Sequence, residues 1–153
     1  MAIHLGLDKL YHDDKNDRQL YEKGKLREDK LRAKDEARLS EAKELLAKKA
    51  VDLDEIWNCH YLCLLFMHSW SKDSEDYKRA HEFAKKAVSL GSNVTKWLYA
   101  ASLDRWLVSQ GKLQKFGTQY NIQNGEIAPY DTQTNDRERE EYGVPNLSKL
   151  LKR

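Results

Sequence analysis

The chain of 153 residues carries 27 Lys and Arg against 25 Asp and Glu, so its formal net charge is only +2. Without a basic block flanked by aromatic residues, this balance gives no reason to expect a nucleic-acid partner. No apolar run approaches the roughly 20 residues that span a bilayer, and no basic segment with an apolar core marks a signal peptide. We therefore expect one cytoplasmic domain, residues 1–153, with no membrane partner.

The N-terminal third is charged from residue 13 onward, and its leucines and alanines provide only a thin apolar stripe before residue 40. Residues 1–12 are mixed in character and predict a loosely held arm. Residues 13–50 are rich in good helix formers and lack proline, which predicts a helix near 14–32 and a second near 34–49, either separate or fused. Gly24 weakens the middle of the first helix. The simplest interpretation of the charges is a solvent-facing surface.

Residues 54–119 have the composition of a helical core. Asp54 is a suitable cap for a nearly wholly apolar helix over 55–70. An amphipathic helix over 77–90 follows, with alanines at 80, 84 and 87 that allow a neighbouring helix to approach closely. With a helix over 94–110 it resembles one antiparallel hairpin of a helical-repeat protein, although a single unit is no repeat array.

The stretch from Trp97 to Gln119 is predicted to be the centre of the fold. Its apolar residues recur at helical spacing on more than one side, which is typical of a buried helix. Asp104 and Arg105 nevertheless fall on or beside this apolar stripe, where a charge is costly unless it is paired. Gly111 is suited to end the helix, and a polar turn follows from residue 114 to Gln119.

The remaining residues, 120–153, predict a loop-rich segment. Ile122 and Ile127 could form a small hairpin around Asn124-Gly125, and a short helix beginning near Asp136 should end at a glycine. The predicted fold is thus mainly α, a small helical bundle with antiparallel helical hairpins and a loop-rich C-terminal segment.

Several spaced polar motifs resemble a family of uncharacterised proteins known only as a domain of unknown function. The matching positions are Asp17-Arg18, Asp35, Arg38, Asp54, His68, Asp104-Arg105, Gly111, Gln114, Gly117-Thr118-Gln119, Asp136, Arg139, Gly143, Pro145 and Leu147. The chain departs from the family pattern at Met67, where a glutamine is expected. The resemblance implies a shared fold and a set of positions, and it implies no reaction.

These polar residues form a candidate pocket. His68 could act as a general acid or base, with Asp104 orienting it or accepting a proton. Arg105 could bind a carboxylate or phosphate through two parallel hydrogen bonds. Gln114, Gly117, Thr118 and Gln119 are candidate ligand contacts, and the possible outer members are Asp35, Arg38, Asp136 and Arg139.

Three interpretations of this set stay open. The Asp and Arg pairs could simply tie the C-terminal half onto the helices, the pocket could bind a small molecule or a protein, or it could belong to a small enzyme, for example a hydrolase. We expect no cofactor and no metal, because Cys59 and Cys63 have no second cluster of ligands and most simply are free, buried thiols.

Overall fold

The computed structural model describes residues 2–71, 73–121 and 123–152. Within these ranges the chain forms seven α-helices and no strand, only two isolated bridges, so the predicted mainly-α bundle is confirmed. The helices are α1 (Leu5–Glu22), α2 (Glu28–Ala47), α3 (Ile56–Met67), α4 (Glu75–Ser89), α5 (Lys96–Ser109), α6 (Asp136–Glu141) and α7 (Leu147–Leu151). None of the described helices is long and apolar enough to cross a membrane.

The central helix is α3, not α5. Nine of the twelve residues of α3 are buried, and α3 packs against α1, α2, α4 and α5. The prediction that α5 is central was wrong. It was based partly on two large apolar residues, Val94 and Trp97, and these are 58% and 46% exposed. The predicted pairing of α4 with α5 is confirmed, and fully buried alanines at 80, 84 and 87 allow their close contact.

A loose arm was predicted for residues 1–12, but its described part, residues 2–12, is folded and docked. His4 caps α1 by accepting a hydrogen bond from the Leu7 amide, and its own amide donates to Asn58 of α3 at 2.8 Å. Leu7 is fully buried and Leu10 nearly so. The prediction failed because it assumed that the arm has few apolar groups to bury, whereas Leu7 and Leu10 lie on one helical face and reach the core.

The first two helices also end in other places than predicted. Gly24 has a φ of +70°, and the amide of Lys25 returns to the carbonyl of Leu20 at 2.8 Å. This glycine therefore terminates α1 in the left-handed conformation that glycine adopts without strain, and it is not an interior helix residue.

The N-cap of α3 also differs from the predicted one. Glu55, not Asp54, caps α3, while Asp54 forms an ion pair with Lys86.

The C-terminal segment packs onto α5 through a second apolar cluster of Ala100, Phe116, Val144 and Leu150. The predicted hairpin includes Ile122, which lies outside the described residues. On either side of it, Tyr120 and Ile127 form an isolated antiparallel bridge around a turn that contains Gly125. The C-terminal segment is thus folded against the bundle although most of it is loop.

We predict that Leu7→Ala lowers the free energy of unfolding by about 2–5 kcal/mol, because it empties a fully buried site between α1 and the core. Urea unfolding measures the change. Leu5→Ala is the matched control, since Leu5 is 81% exposed and its loss should cost no more than about 0.5 kcal/mol. Equal stability of the Leu7 variant and the wild type would show that the arm is not docked.

Candidate functional site

The buried faces of α1 and α2 contain charged residues as well as apolar ones. On α1 the buried positions are Leu7, Leu10, Asp14 and Asp17, at the three- and four-residue spacing of one helical face. On α2 the buried positions include Leu31, Asp35 and Arg38. Charges therefore occupy core-facing positions, where they must be paired.

These charges form an ion network between α1 and α2, made of Asp14, Asp17, Arg18, Asp35 and Arg38. Arg18 donates hydrogen bonds to both carboxylate oxygens of Asp35, at 2.9 and 2.8 Å, and to Asp14 Oδ1 at 2.7 Å. Arg38 donates to Asp17 at 2.6 Å and to Asp35 at 2.8 Å. Such two-pronged guanidinium–carboxylate contacts fix geometry as well as charge, so the network holds the two helices in register.

Asp35 lies at the centre of the network. Its burial alone would raise the pKa, but hydrogen bonds from Arg18, Trp70 and Arg38 outweigh burial and hold the pKa below the ordinary 3.8. The indole of Trp70 donates to Asp35 Oδ2 at 2.9 Å. The network thereby also fixes the segment that follows α3.

His68, the C-cap of α3, is bonded to this network. Its Nδ1 lies 2.8 Å from Asp14 Oδ2. Because an ionised carboxylate only accepts, we assign the proton to Nδ1, which leaves Nε2 as the basic nitrogen, with no hydrogen bond to any described residue. Burial lowers the pKa of His68 more than Asp14 raises it, so the imidazole is neutral at neutral pH.

Asp104 is not the partner of His68, contrary to the expected pairing. It is fully buried and accepts five hydrogen bonds, four from the successive backbone amides of residues 115–118 and one from the Thr118 hydroxyl, at 2.7–3.1 Å. The carboxylate therefore shapes the turn after α5, and backbone amides in place of a cation stabilise its charge.

Two of the expected ligand contacts are also occupied within the fold. Gln114 is fully buried, and its amide bonds the backbone of Gln119 and the carbonyl of Ala128. Gly117 has a φ of +95°, and a Cβ there would lie 3.1 Å from Leu150 and 3.2 Å from Ile127. Glycine is required at this position by backbone conformation and by packing, not by the approach of a ligand.

Asp136 and Arg139, expected as outer members of the pocket, hold the C-terminal segment elsewhere. Arg139 is almost fully buried and donates to the carbonyls of Phe116 and Thr134 and to Asp136 at 3.1 Å. Asp136 also accepts from the amide of Leu147. This pair ties α6 and α7 to the turn after α5.

Arg105 points to the same side of the bundle as His68. Its Nε donates to Gln119 at 3.1 Å and its Nη1 to the carbonyl of Met67 at 2.8 Å, both uncharged acceptors. No described carboxylate lies within ion-pair distance of it. Burial lowers the pKa of Arg105, and the neighbouring Arg18 acts in the same direction. Arg105 is thus a partly buried cation without a counter-ion.

These side chains line an open cleft of about 700 Å³, here called the main cleft. Arg18, His68 and Arg105 supply its basic groups, and Trp70, Tyr77 and Trp97 supply aromatic walls. Thr118 and Gln119 also line it, whereas Asp104, Gln114 and Gly117 do not. A second cleft of about 420 Å³, the side cleft, shares Arg18, His68 and Trp97 with the main cleft.

Asp14, Asp35 and His68 bring possible metal ligands within 4.8 Å of one another. A metal would nevertheless have to displace the guanidinium groups that already bond both carboxylates, so the cluster fits an ion network better than a metal centre. Cys59 and Cys63 are free and buried, and burial raises their pKa values to about 11 and about 12. Protonated thiols are poor metal ligands.

Sequence reasoning missed Asp14 and the exposed Trp97, and it considered Arg18 only as part of a motif. Asp14 and Asp17 continue the apolar spacing of Leu7 and Leu10, which is the signal that could have placed them at the buried face. For Trp97 the sequence offers no such signal, because an apolar residue at helical spacing is usually buried.

Comparison with known proteins gives no match: no family model, no curated protein and no solved structure matches the chain. The family resemblance of the spaced motifs therefore stays an expectation, and function has to be argued from the cleft.

We predict that Asp104→Ala unfolds at a much lower urea concentration than the wild type, because it leaves four backbone amides and a hydroxyl without their acceptor. Each hydrogen bond to a charged group contributes about 1.5–3 kcal/mol. The stability of Asp104→Asn should be intermediate, since its amide oxygen can still accept hydrogen bonds whereas its amide nitrogen faces donors that then lack an acceptor. Unfolding of the alanine variant at the wild-type midpoint would contradict this role.

We further predict that Asp35→Asn lowers the free energy of unfolding at neutral pH by about 3–5 kcal/mol, because it breaks the buried ion pairs of Asp35 with both Arg18 and Arg38. The two guanidiniums then keep only Asp14 and Asp17 as charged partners. Because the folded pKa of Asp35 lies below its unfolded value, its contribution is present above the ordinary pKa of 3.8 and is lost as pH falls through the folded value. The stability gap between variant and wild type should therefore narrow in acid.

Urea unfolding at a series of pH values measures this gap. Asp29→Asn is the matched control, because Asp29 forms only an exposed ion pair with Arg27 worth at most about 1 kcal/mol. If the Asp35 variant and the wild type differ by the same amount at neutral and acidic pH, the charge of Asp35 is not what stabilises the fold.

Proposed function

We propose that the main cleft binds a small organic anion, with Arg105 as the principal contact. The observation that carries the proposal is that Arg105 is a partly buried cation whose hydrogen bonds within the described part of the chain go only to the neutral oxygens of Met67 and Gln119. Removing a cation from water is costly unless an anion compensates it. A bound carboxylate or phosphate would supply that compensation.

The hydrogen bonds of Arg105 leave room for such a ligand. They use Nε and one Nη1 proton, so the Nη2 donors make no hydrogen bond to any described residue. Gln119 and Met67 hold the guanidinium plane on two sides, which lowers the entropic cost of presenting the remaining donors to a ligand. A pre-positioned guanidinium is well suited to a planar carboxylate or to phosphate oxygens.

The other walls of the main cleft favour an anion with a flat apolar part. No carboxylate is among the described residues that line it, and its second guanidinium belongs to Arg18. Trp70, Tyr77 and Trp97 offer aromatic surface, of which Trp97 is 46% exposed. A volume of about 700 Å³ lies in the range of small-molecule sites, so a small molecule suits it better than a protein partner.

We predict that naphthoate binds the protein and that Arg105→Gln weakens this binding about tenfold or more. The loss of one charge-assisted hydrogen bond costs about 1.5–3 kcal/mol, and each 1.4 kcal/mol is about a factor of ten in affinity. Isothermal titration calorimetry measures the dissociation constants of naphthoate for the wild type and for the Arg105→Gln variant. Inorganic phosphate, titrated in parallel, tests whether the anion alone suffices.

Two controls isolate the charge of Arg105. Naphthamide has the same ring system without the negative charge and should bind weakly to both proteins. Arg137→Gln removes the same charge from an exposed position of α6 and should bind naphthoate like the wild type. Equal naphthoate affinity of the Arg105 variant and the wild type would contradict the proposal.

A further inference from the structure

We propose further that the main cleft is catalytic and that His68 acts as a general base in the hydrolysis of a carboxylic ester whose acyl part carries a negative charge. The inference rests on the proposed function, because Arg105 is the group that binds the charge. The inference is argued from the hydrogen bond between His68 and Asp14 and from the arrangement of the two clefts.

His68 is held in the orientation that a general base requires. Asp14 fixes Nδ1 at 2.8 Å through one carboxylate oxygen, and Arg18 fixes the other oxygen of Asp14 at 2.7 Å. Asp14 is almost fully buried, whereas His68 is partly exposed and lines both clefts. A base whose far nitrogen is held by a buried carboxylate is the base-and-orienter half of a catalytic triad.

The proton that His68 accepts must come from water or from the substrate. The hydroxyl groups of the main cleft donate elsewhere: Ser69 to Asp76, Tyr77 to the Ser69 carbonyl, Ser109 to the Trp106 carbonyl, Thr118 to Asp104 and Tyr120 to the Leu150 carbonyl. None of these five hydroxyls is therefore available as a nucleophile activated by His68. The open cleft admits water, which we assign as the attacking group.

The position of His68 between the clefts indicates how a substrate would lie. The main cleft holds Arg105. The side cleft is lined by charged residues as well, Lys15 and Glu22 among them, but the surface that it exposes is mostly apolar and includes Tyr11, Leu64 and Leu98. Arg18, His68 and Trp97 belong to both clefts. An ester with its anion at Arg105 and an apolar alcohol in the side cleft would place its scissile bond beside His68. The substrate class is therefore an ester of a dicarboxylic acid with an apolar alcohol.

In the proposed step, Nε2 of His68 takes a proton from water as the water oxygen forms a bond to the ester carbonyl carbon. The resulting oxyanion lies beside Arg18, whose Nε makes no hydrogen bond to any described residue. Collapse of this intermediate breaks the bond to the alcohol oxygen, which takes the proton from the imidazolium. The products are an alcohol and a dicarboxylic acid whose newly formed carboxyl group loses its proton to water, and His68 is again neutral.

The p-nitrophenyl hemiester of adipic acid is the probe, and release of p-nitrophenolate is the measurement. The wild type should turn it over, and His68→Asn should lower kcat about 100-fold or more, since general-base catalysis contributes on that scale. His81→Asn is the matched control, because His81 is a second histidine of the core, bonded to Ser102 and absent from both clefts. The control should retain wild-type turnover.

Substitution of Asp14 should mainly change kcat, whereas substitution of Arg105 should mainly change KM. Asp14 is a positioning residue, so Asp14→Asn should lower kcat with little change in KM. Arg105→Gln should raise KM for the hemiester but not for p-nitrophenyl hexanoate, which lacks the second carboxylate. Circular dichroism establishes that each variant is folded before its kinetics are compared.

The outcomes distinguish the two proposals. If naphthoate binds through Arg105 but the wild type and the folded His68→Asn variant release p-nitrophenolate from the hemiester at the same rate, the catalytic inference is wrong and anion binding stands. If neither naphthoate nor the hemiester depends on Arg105, both proposals are wrong. Turnover that requires His68, Asp14 and Arg105, each with its expected kinetic effect, supports them together.

Discussion

The structure depends above all on the ion network between α1 and α2. Three carboxylates and two guanidiniums are packed where a bundle of this size normally places leucines, and every carboxylate has a guanidinium partner. The network joins the N-terminal helices and, through His68 and Trp70, also fixes the end of α3. A buried network of this kind is weak evidence for stability. Its better-supported consequence is that it orients one imidazole at the edge of a cleft.

Asp104 and Arg105 are neighbours in sequence, yet their environments differ. Asp104 is buried and satisfied by backbone amides of the turn after α5, and that turn presents Gln119 to Arg105. Arg105 has no such charge compensation. The structural interpretation of this motif thus suits Asp104, Gln114 and Gly117, while the ligand-binding interpretation is proposed for Arg105 together with Thr118 and Gln119, the other motif residues of the cleft.

The helical bundle could be predicted from the sequence because the α3 segment is almost wholly apolar, while α4 and α5 carry apolar residues at helical spacing, and the predicted bounds of these helices are close to those observed. The first two helices were less predictable, since their buried faces are partly made of charged residues that resemble a solvent-facing surface. The same difficulty hid Asp14, whose partner His68 is 54 residues away in the chain. The burial of Asp104 could be expected from its place on an apolar stripe, but its acceptance of backbone amides depends on a turn that propensities do not specify.

The central claim is that Arg105 lacks a counter-ion because a bound anion supplies one. A crystal structure of the protein grown with naphthoate tests it most directly. The account predicts the carboxylate within hydrogen-bond distance of the Arg105 guanidinium, the ring against Trp97 or Trp70, and His68 still bonded to Asp14. A structure in which the main cleft stays free of naphthoate, or in which Arg105 is paired with a carboxylate of the chain itself, would contradict the claim.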